Sequence, residues 1–165
     1  MRLFIGSGNP HKVDEIAAFL GDQVFVSSFR DYPPMQEPEE TGDTLQENAL
    51  LKAQHYFRLT GQPTLADDTG LEVEALNGEP GVYSARYAGP RSNAAENMQK
   101  LLDRLLGRTS RQAQFRTVLV YIGEDGATHF FEGVLRGFIT QMPKGSQGFG
   151  YDPIFQPNHL EKTLA

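Results

Sequence analysis

The sequence predicts an α/β fold in which helices pack against a central sheet of mixed parallel and antiparallel strands. Three observations predict it: a strand–helix–strand succession up to Ser27, two later segments with helical periodicity, and a hairpin turn near residue 125. Neighbouring parallel strands need a crossover helix, whereas a tight turn joins antiparallel ones. A chain of 165 residues buries enough surface to fold as a single domain over 1–165, or as two small lobes that share a core.

The first three elements form the strand–helix–strand unit. Arg2–Ile5 is a short apolar run typical of a buried strand. Asn9 is a helix-capping residue and Pro10 fits the first helical position, so a helix begins there and ends before Gly21. Gln23–Ser27 is the second strand, which we expect to lie parallel to the first.

Two further helices are predicted from capping signals and apolar stripes. One begins near Thr44, which has capping-box spacing to Glu47, and ends at Gly61. The other spans 92–106, with Asn93 in a second capping box.

The remaining strands follow from short apolar or alternating segments. A strand at Thr64–Ala66 is predicted to end in an Asp-Asp-Thr-Gly turn, and Leu71–Glu74 forms a separate half-exposed strand. A tight turn at Glu-Asp-Gly joins Phe115–Ile122 to Thr128–Thr140. Pro153–Phe155 is the last short strand.

Composition excludes several classes of protein. The chain has no cysteine, which excludes a disulfide scaffold and a thiol nucleophile and suits the reducing cytoplasm. No apolar run approaches the roughly 20 residues of a membrane helix, and the pattern of the first residues leads us to expect no signal peptide. A net charge of −6 argues against nucleic-acid and anionic-membrane partners, but it permits a local basic pocket for one phosphorylated ligand.

The first candidate site is the Ser7-Gly8-Asn9-Pro10-His11-Lys12 segment between strand and helix. Its glycines permit close backbone approach, and the helix N-terminus and lysine attract anions, so phosphate is the ligand that it favours. The spacing is not that of a Walker loop. A plain strand-to-helix turn is the alternative interpretation.

The second candidate is a set of acids, Glu39, Glu40, Asp67 and Asp68. Adjacent carboxylates repel each other, and burying them without a cation is costly. Their oxygens suit Mg²⁺ better than Zn²⁺, and one carboxylate can take a proton from an attacking water. The alternative is a solvated turn.

Two weaker candidates remain. Asn48 and Lys52 are four residues apart and therefore share one helix face. Asn48 lies between apolar positions, and one interpretation is that Lys52 reaches toward the carboxylates or a phosphate, whereas spacing alone favours a solvated face. The segment Gly145–Asp152 places glycines around Phe149 and Tyr151, an arrangement suited to a flat ligand such as a nucleobase. A glycine-rich turn with its aromatic side chains in the core is the alternative.

Taken together, five motifs resemble the inosine triphosphate pyrophosphatase family over nearly the whole chain. The motifs are SGNPHK, EETGDTLQENALLKA, LADDTGLEV, GEPGVYSARYAG and GFGYDPIF. The resemblance implies an elongated central sheet in two lobes with an active-site cleft between them. It also implies a cytoplasmic homodimer that uses Mg²⁺ to hydrolyse ITP, dITP and XTP to monophosphate and pyrophosphate, cleansing the nucleotide pool.

The resemblance also implies roles for individual residues. Asp68 accepts the proton, supported by Asp67 and Lys52, and Glu40 and Asp68 hold the metal. The residues expected to bind substrate are Ser7, Gly8, Asn9, Pro10, His11, Lys12, Thr69, Phe149, Gly150, Tyr151 and Asp152. Among them, Phe149 is expected to stack on the purine.

One feature departs from the family pattern. Family members continue past Ala165 into a segment with a lysine and a Ser-His-Arg motif that reads the 6-oxo group, and the 165 residues are expected to lack it. Two other functions therefore stay open: a catalytically silent nucleotide-binding module, and a Maf-like pyrophosphatase of different base preference.

Overall fold

The computed structural model describes residues 2–165, which form three α-helices and one seven-stranded sheet. The helices are α1 (Pro10–Leu20), α2 (Leu45–Thr60) and α3 (Ala94–Arg104). The strands are β1 (Arg2–Ile5), β2 (Phe25–Ser27), β3 (Thr64–Val73), β4 (Pro80–Gly81), β5 (Gln112–Ile122), β6 (Thr128–Ile139) and β7 (Phe155–Pro157). Their order is β2-β1-β3-β5-β6-β7, and β4 pairs with β3.

The chain divides into two compact units. The first comprises the residues up to Asp68 together with Val118–Glu132, and the second comprises Thr69–Thr117 and Gly133–Ala165. The single domain over 1–165 and the cleft between two lobes stay predictions. Across residues 2–165, no helix has both the length and the apolar character needed to cross a membrane.

The predicted parallel arrangement of the first strands is confirmed. β1 pairs in parallel with β2, with Leu3 opposite Val26, and in parallel with β3, with Phe4 opposite Thr64. A parallel pair needs a crossover, and α1 supplies it between β1 and β2. The mixed character of the sheet is also confirmed, since β3 pairs with β4 and β6 with β7 in antiparallel fashion.

The capping signals place the helix ends of the first unit correctly. Asn9 caps α1 by accepting the His11 N–H, and Thr44 and Glu47 form a reciprocal capping box at the start of α2. Gly61 ends α2 with φ +64°, a left-handed conformation that glycine adopts without a Cβ penalty. These local hydrogen bonds satisfy donors that a helix terminus otherwise leaves unpaired.

Aromatic packing fixes β1 against α2. The ring of Phe4 lies 5.6 Å from that of Tyr56, and both side chains are buried. Gly6 follows β1, and a Cβ there would collide with the Tyr56 ring, so the chain approaches α2 closely at this point. This contact positions the start of the Ser7–Lys12 segment.

β3 corrects the sequence prediction of a turn at Asp67–Gly70. One ten-residue strand runs from Thr64 to Val73 without interruption. The two aspartates are buried within it, at 5% and 8% exposure, and each contacts a lysine. Because paired carboxylates avoid much of the cost of burial, the strand continues through them.

The second unit has its own apolar core. Its cluster is built from β3, α3, β6 and the chain around β7, and Leu71, Leu101, Ile139 and Phe155 are fully buried there. Leu71 and Val73 are both buried, so the half-exposure predicted for this strand applies to its alternate residue Glu72. The alternation matches the two-residue period of a strand.

Several predicted boundaries are corrected. β2 begins at Phe25 because Gly21–Gln23 form a 3₁₀ turn, and β7 begins at Phe155 because Asp152–Ile154 form another. Tight 3₁₀ turns of this kind are common beside regular elements. The other shifts are the start of β5 at Gln112, the end of α3 at Arg104 and the short strand β4 within the predicted 77–91 loop.

Candidate functional site

The Ser7–Lys12 segment joins β1 to α1 as predicted. Ser7 Oγ accepts the Asn9 N–H at 3.3 Å, Asn9 Oδ1 accepts the His11 N–H at 3.0 Å, and Pro10 is the first residue of α1. The partial positive charge of a helix N-terminus favours anions. The local geometry is therefore suited to a phosphate group.

Glu37 is an acid at this segment that the sequence analysis did not single out. A Cβ on Gly8 would lie 2.9 Å from Glu37 Cδ, so a side chain at Gly8 would collide with the carboxyl group. The only signal in the sequence was the composition of residues 30–42, a loop rich in proline and acidic residues that contains Glu37. Together with burial, the charges of Glu37 and Glu40 raise the pKa of Tyr56.

Lys12 and Asp67 form an ion pair within the first unit. Lys12 Nζ donates a hydrogen bond to Asp67 Oδ2, and the aspartate side chain is almost wholly buried. The lysine comes from the first turn of α1 and the aspartate from β3, so the pair links two elements far apart in sequence. The structure therefore brings together one predicted phosphate-binding residue and one predicted catalytic residue.

Lys52 joins the other two acids of the predicted site. Its Nζ donates to Glu40 Oε1 at 2.7 Å and to Asp68 Oδ1 at 3.0 Å, and its side chain is 15% exposed. The prediction of a solvated helix face for Lys52 is therefore wrong. Its partners come from the loop before α2 and from β3, so three separate segments converge on one ammonium group.

Charge and burial shift the pKa of both members of this pair. Burial disfavours the Lys52 ammonium, but the Asp68 carboxylate and the hydrogen bond to Glu40 together outweigh it and raise the pKa of Lys52. Burial raises the pKa of Asp68, and the Glu40 charge adds to it. The neighbouring Lys52 and Asn48 side chains oppose this increase without cancelling it.

The donor set at Asp68 fits a hard cation. Asp68 Oδ2 is buried and has no hydrogen-bond partner, while Asp68 Oδ1 and Glu40 Oε1 already share one cationic partner in Lys52. Within residues 2–165, no three His, Cys, Asp or Glu side chains cluster as a metal cage. Mg²⁺ commonly uses one or two carboxylates and completes its coordination with water and substrate phosphates. The residues present therefore fit Mg²⁺.

The remaining predicted residues belong to the second unit. Thr69 directly follows Asp68 in β3, and its hydroxyl lies 2.9 Å from that of Thr117. Tyr151 is buried, and its hydroxyl donates to the Ser84 carbonyl at 2.8 Å. Asp152 Oδ2 accepts the Phe149 N–H at 2.8 Å, closing the loop that contains Gly150.

The geometry thus gathers the predicted residues into two groups. The first unit holds the Ser7–Lys12 segment and the two lysine–carboxylate clusters, and the second unit holds the Phe149–Asp152 loop. Burial of Asn48 in the first unit was not predicted, because spacing alone assigned it to a solvated face.

One strand holds two buried aspartates, each paired with a lysine, and one of these lysines lies at the N-terminus of α1. These features are typical of an α/β protein that binds phosphorylated ligands. Comparison with known proteins agrees. The Ham1 family model matches residues 3–165, so the chain belongs to the Ham1 family.

Curated relatives resemble the chain over all or nearly all of its length. It is 46% identical over 165 residues to the dITP/XTP pyrophosphatase of Flavobacterium johnsoniae, covering 100% of this chain and 85% of the relative. It is 48% identical over 157 residues to the dITP/XTP pyrophosphatase of Porphyromonas gingivalis, covering 94% and 80%. The resemblance drawn from the five motifs is thereby confirmed.

Solved structures confirm the fold class. The Ham1 protein of Staphylococcus aureus superposes with a TM-score of 0.89 at 41% identity, covering 100% of this chain and 85% of that one. The HAM1 protein of Coxiella burnetii gives 0.90 at 38% identity, covering 100% and 86%.

Proposed function

We propose that this protein hydrolyses dITP, ITP and XTP to the nucleoside monophosphate and pyrophosphate, removing deaminated purines from the nucleotide pool. The relatives named dITP/XTP pyrophosphatase support this activity. The observation that carries it is the convergence of Glu40 and Asp68 on Lys52, with Asp68 Oδ2 buried and unpartnered. Such a group is costly to maintain unless a ligand uses it.

The proposed chemistry is an attack by water on the α-phosphorus. Asp68 accepts a proton from the water, the water oxygen forms a bond to phosphorus, and the bond to the bridging oxygen breaks so that pyrophosphate leaves. Asp67 and Lys52 support Asp68 through the charges around it. A positioned general base contributes about 10²–10⁴-fold to such a step.

Mg²⁺ is the proposed cofactor, held by Glu40 and Asp68. Bound there, it would offset the negative charge of the polyphosphate, including the charge that develops during the reaction. Lys52 keeps both carboxylates in place and balances their mutual repulsion.

Each residue expected to bind substrate is proposed to contact a particular part of it. The Ser7–Lys12 segment binds the phosphates through backbone N–H groups at the start of α1 and through the Lys12 ammonium. Thr69 contacts the substrate beside Asp68. Phe149, Gly150, Tyr151 and Asp152 receive base and ribose, and Phe149 stacks on the purine.

We propose that residues 1–165 act as one domain of this fold, in a cytoplasmic homodimer. Apolar side chains exposed on β6, at Phe130, Phe131 and Val134, support association with a second copy. The absence of cysteine suits the reducing cytoplasm. Sedimentation of the purified protein tests the dimer.

The test of the activity is pyrophosphate release from ITP, dITP, XTP, dUTP and a methylated nucleotide, with MgCl₂ and with EDTA. We expect release from the first three, with MgCl₂ only. Preference for dUTP or the methylated nucleotide would support a Maf-like function, and binding of ITP without release would support a silent module.

Asp68→Asn is the matching variant, because it keeps the side-chain shape and removes the proton acceptor. We expect kcat for dITP to fall by about 10³-fold, within the range of a general base, with an unchanged circular dichroism spectrum. Asp22→Asn is the control, since Asp22 is exposed in the same unit. Turnover by Asp68→Asn near that of the wild type would remove Asp68 from the mechanism.

A further inference from the structure

Asn48 is a wholly buried polar residue to which neither the motifs nor the proposed reaction assigns a role. It lies in α2 one helical turn before Lys52, at 0% exposure. The two residues share a helix face, and the prediction that this face is solvated is wrong for both. A fully buried asparagine is uncommon unless its amide is hydrogen-bonded, so its contacts matter.

One end of the amide holds the loop that carries Glu40. Asn48 Oδ1 accepts the Gly42 N–H at 2.8 Å, and Gly42 is two residues after Glu40. A Cβ on Gly42 would lie 2.7 Å from Asn48 Oδ1, so the loop packs directly on this side chain. Asn48 therefore fixes the backbone beside one of the two acids that Lys52 joins.

The other end of the amide has donors without an acceptor. The bond from Gly42 fixes the orientation of the amide, because the opposite orientation would set the Nδ2 donors against another N–H donor. Among the residues that the structure describes, Asn48 Nδ2 and Asp68 Oδ2 are the buried side-chain polar atoms that lack a partner. The two groups lie near each other, because Asn48 is one helical turn before Lys52 in α2 and Lys52 Nζ is 3.0 Å from Asp68 Oδ1.

We propose that Asn48 is a positioning residue for the reaction at Asp68, anchoring the Glu40 loop through Oδ1 and orienting the Asp68 carboxylate through Nδ2. This inference rests on the proposed function, whose residues it holds in place. Lys52 joins Glu40 and Asp68 by charge, and Asn48 joins the same two segments by a neutral amide. The neutral contact persists when the lysine charge is shared with a polyphosphate.

The variant Asn48→Asp tests the acceptor role of Oδ1 and the donor role of Nδ2 separately. The substitution keeps an oxygen that accepts the Gly42 N–H, and it replaces the Nδ2 donors with an acceptor that repels Asp68. We expect kcat for dITP to fall by about 10²-fold, the cost of a misplaced reacting group, with KM changed less than threefold. Binding of dITP in EDTA, measured by calorimetry, should match the wild type.

Asn97→Asp is the matched control. Asn97 is also a buried asparagine near a helix start, and its amide accepts the Ala88 N–H and donates to the Ala85 carbonyl. We expect Asn97→Asp to lower the melting temperature at least as much as Asn48→Asp, with kcat within twofold of the wild type. A purely structural role for Asn48 predicts the same pattern for both variants.

The outcomes separate the two proposals. A wild-type protein that releases no pyrophosphate refutes the proposed function, whatever Asn48 does. An active wild type together with a folded Asn48→Asp that retains kcat refutes the role of Asn48 alone. If Asn48→Asp does not fold, Asn48→Ala decides by the same measurements: a fall in kcat at constant KM supports the role, and an unchanged kcat overturns it.

Discussion

The two regions that hold the candidate site residues are stabilised by different interactions. In the first unit, lysine ammonium groups hold the carboxylates of Asp67 and Asp68. In the second unit, bonds to backbone groups hold the Phe149–Asp152 loop, since the Tyr151 hydroxyl donates to a carbonyl and Asp152 accepts an amide N–H.

The two kinds of interaction suit the two regions to different roles. Ion pairs are exchangeable, because a metal ion or a phosphate can take the place of either partner at modest cost. Hydrogen bonds to the backbone fix a conformation, so the loop is expected to keep its shape when a ligand binds. We therefore expect substitutions in the first unit to change reaction rate and stability strongly, and those in the loop to change affinity modestly.

The largest effect is expected from Lys52→Met, which removes the ammonium group that joins Glu40 to Asp68. The variant leaves Glu40 and Asp68 without their shared cation in a largely buried position. Removing one partner of a buried ion pair costs about 3–5 kcal/mol, and we expect the lower end because Glu40 is partly exposed. Urea unfolding measures the loss. Adding Asp68→Asn should restore part of it, and a double variant no more stable than Lys52→Met would contradict this account.

An intermediate effect is expected from Lys12→Ala, which tests whether the ammonium paired with Asp67 also binds a phosphate. The change removes the ammonium that faces Asp67 and, in the proposed function, the triphosphate. One charged contact to phosphate is worth about 1.5–3 kcal/mol, so KM for dITP should rise by about tenfold or more with a smaller change in kcat. Lys162→Ala serves as an exposed control. Unaltered steady-state kinetics would exclude Lys12 from binding.

The smallest effect is expected from Tyr151→Phe, which tests the region held by backbone bonds. The variant keeps the ring in the core and removes one hydrogen bond to the Ser84 carbonyl. Loss of such a bond costs about 1 kcal/mol of stability, which urea unfolding measures, and we expect KM for dITP to rise less than about fivefold while kcat is retained. A loss of stability comparable to that of Lys52→Met would show that the two regions do not differ in this way.

Local signals in the sequence predicted much of the fold. The caps at Asn9, Thr44 and Asn93 each formed as expected, because capping depends on residues within four positions of one another. Gly21 and Gly61 ended their helices for the same reason. The parallel arrangement of β1 with its neighbours followed from the order of elements.

The predictions that were wrong concern residues whose surroundings depend on contacts distant in sequence. Asp67 and Asp68 look like a turn in isolation, and they continue a strand only because Lys12, 55 residues from Asp67, and Lys52 neutralise them. The burial of Asn48 likewise needs the Gly42 loop to fold back on α2. Periodicity describes one helix or strand at a time, so it does not predict contacts between residues that are far apart in sequence.

The two aspartates of β3 also limit how this gene can vary in length. Successive residues of a strand point to opposite faces, so Asp67 and Asp68 serve different lysines. Deleting one codon between Thr64 and Asp67 would place each of the two carboxylates on the face that the other now occupies. It would also move every following side chain of the strand to the opposite face of the sheet. Related genes should therefore tolerate indels in the 30–39 loop far more readily than in this stretch.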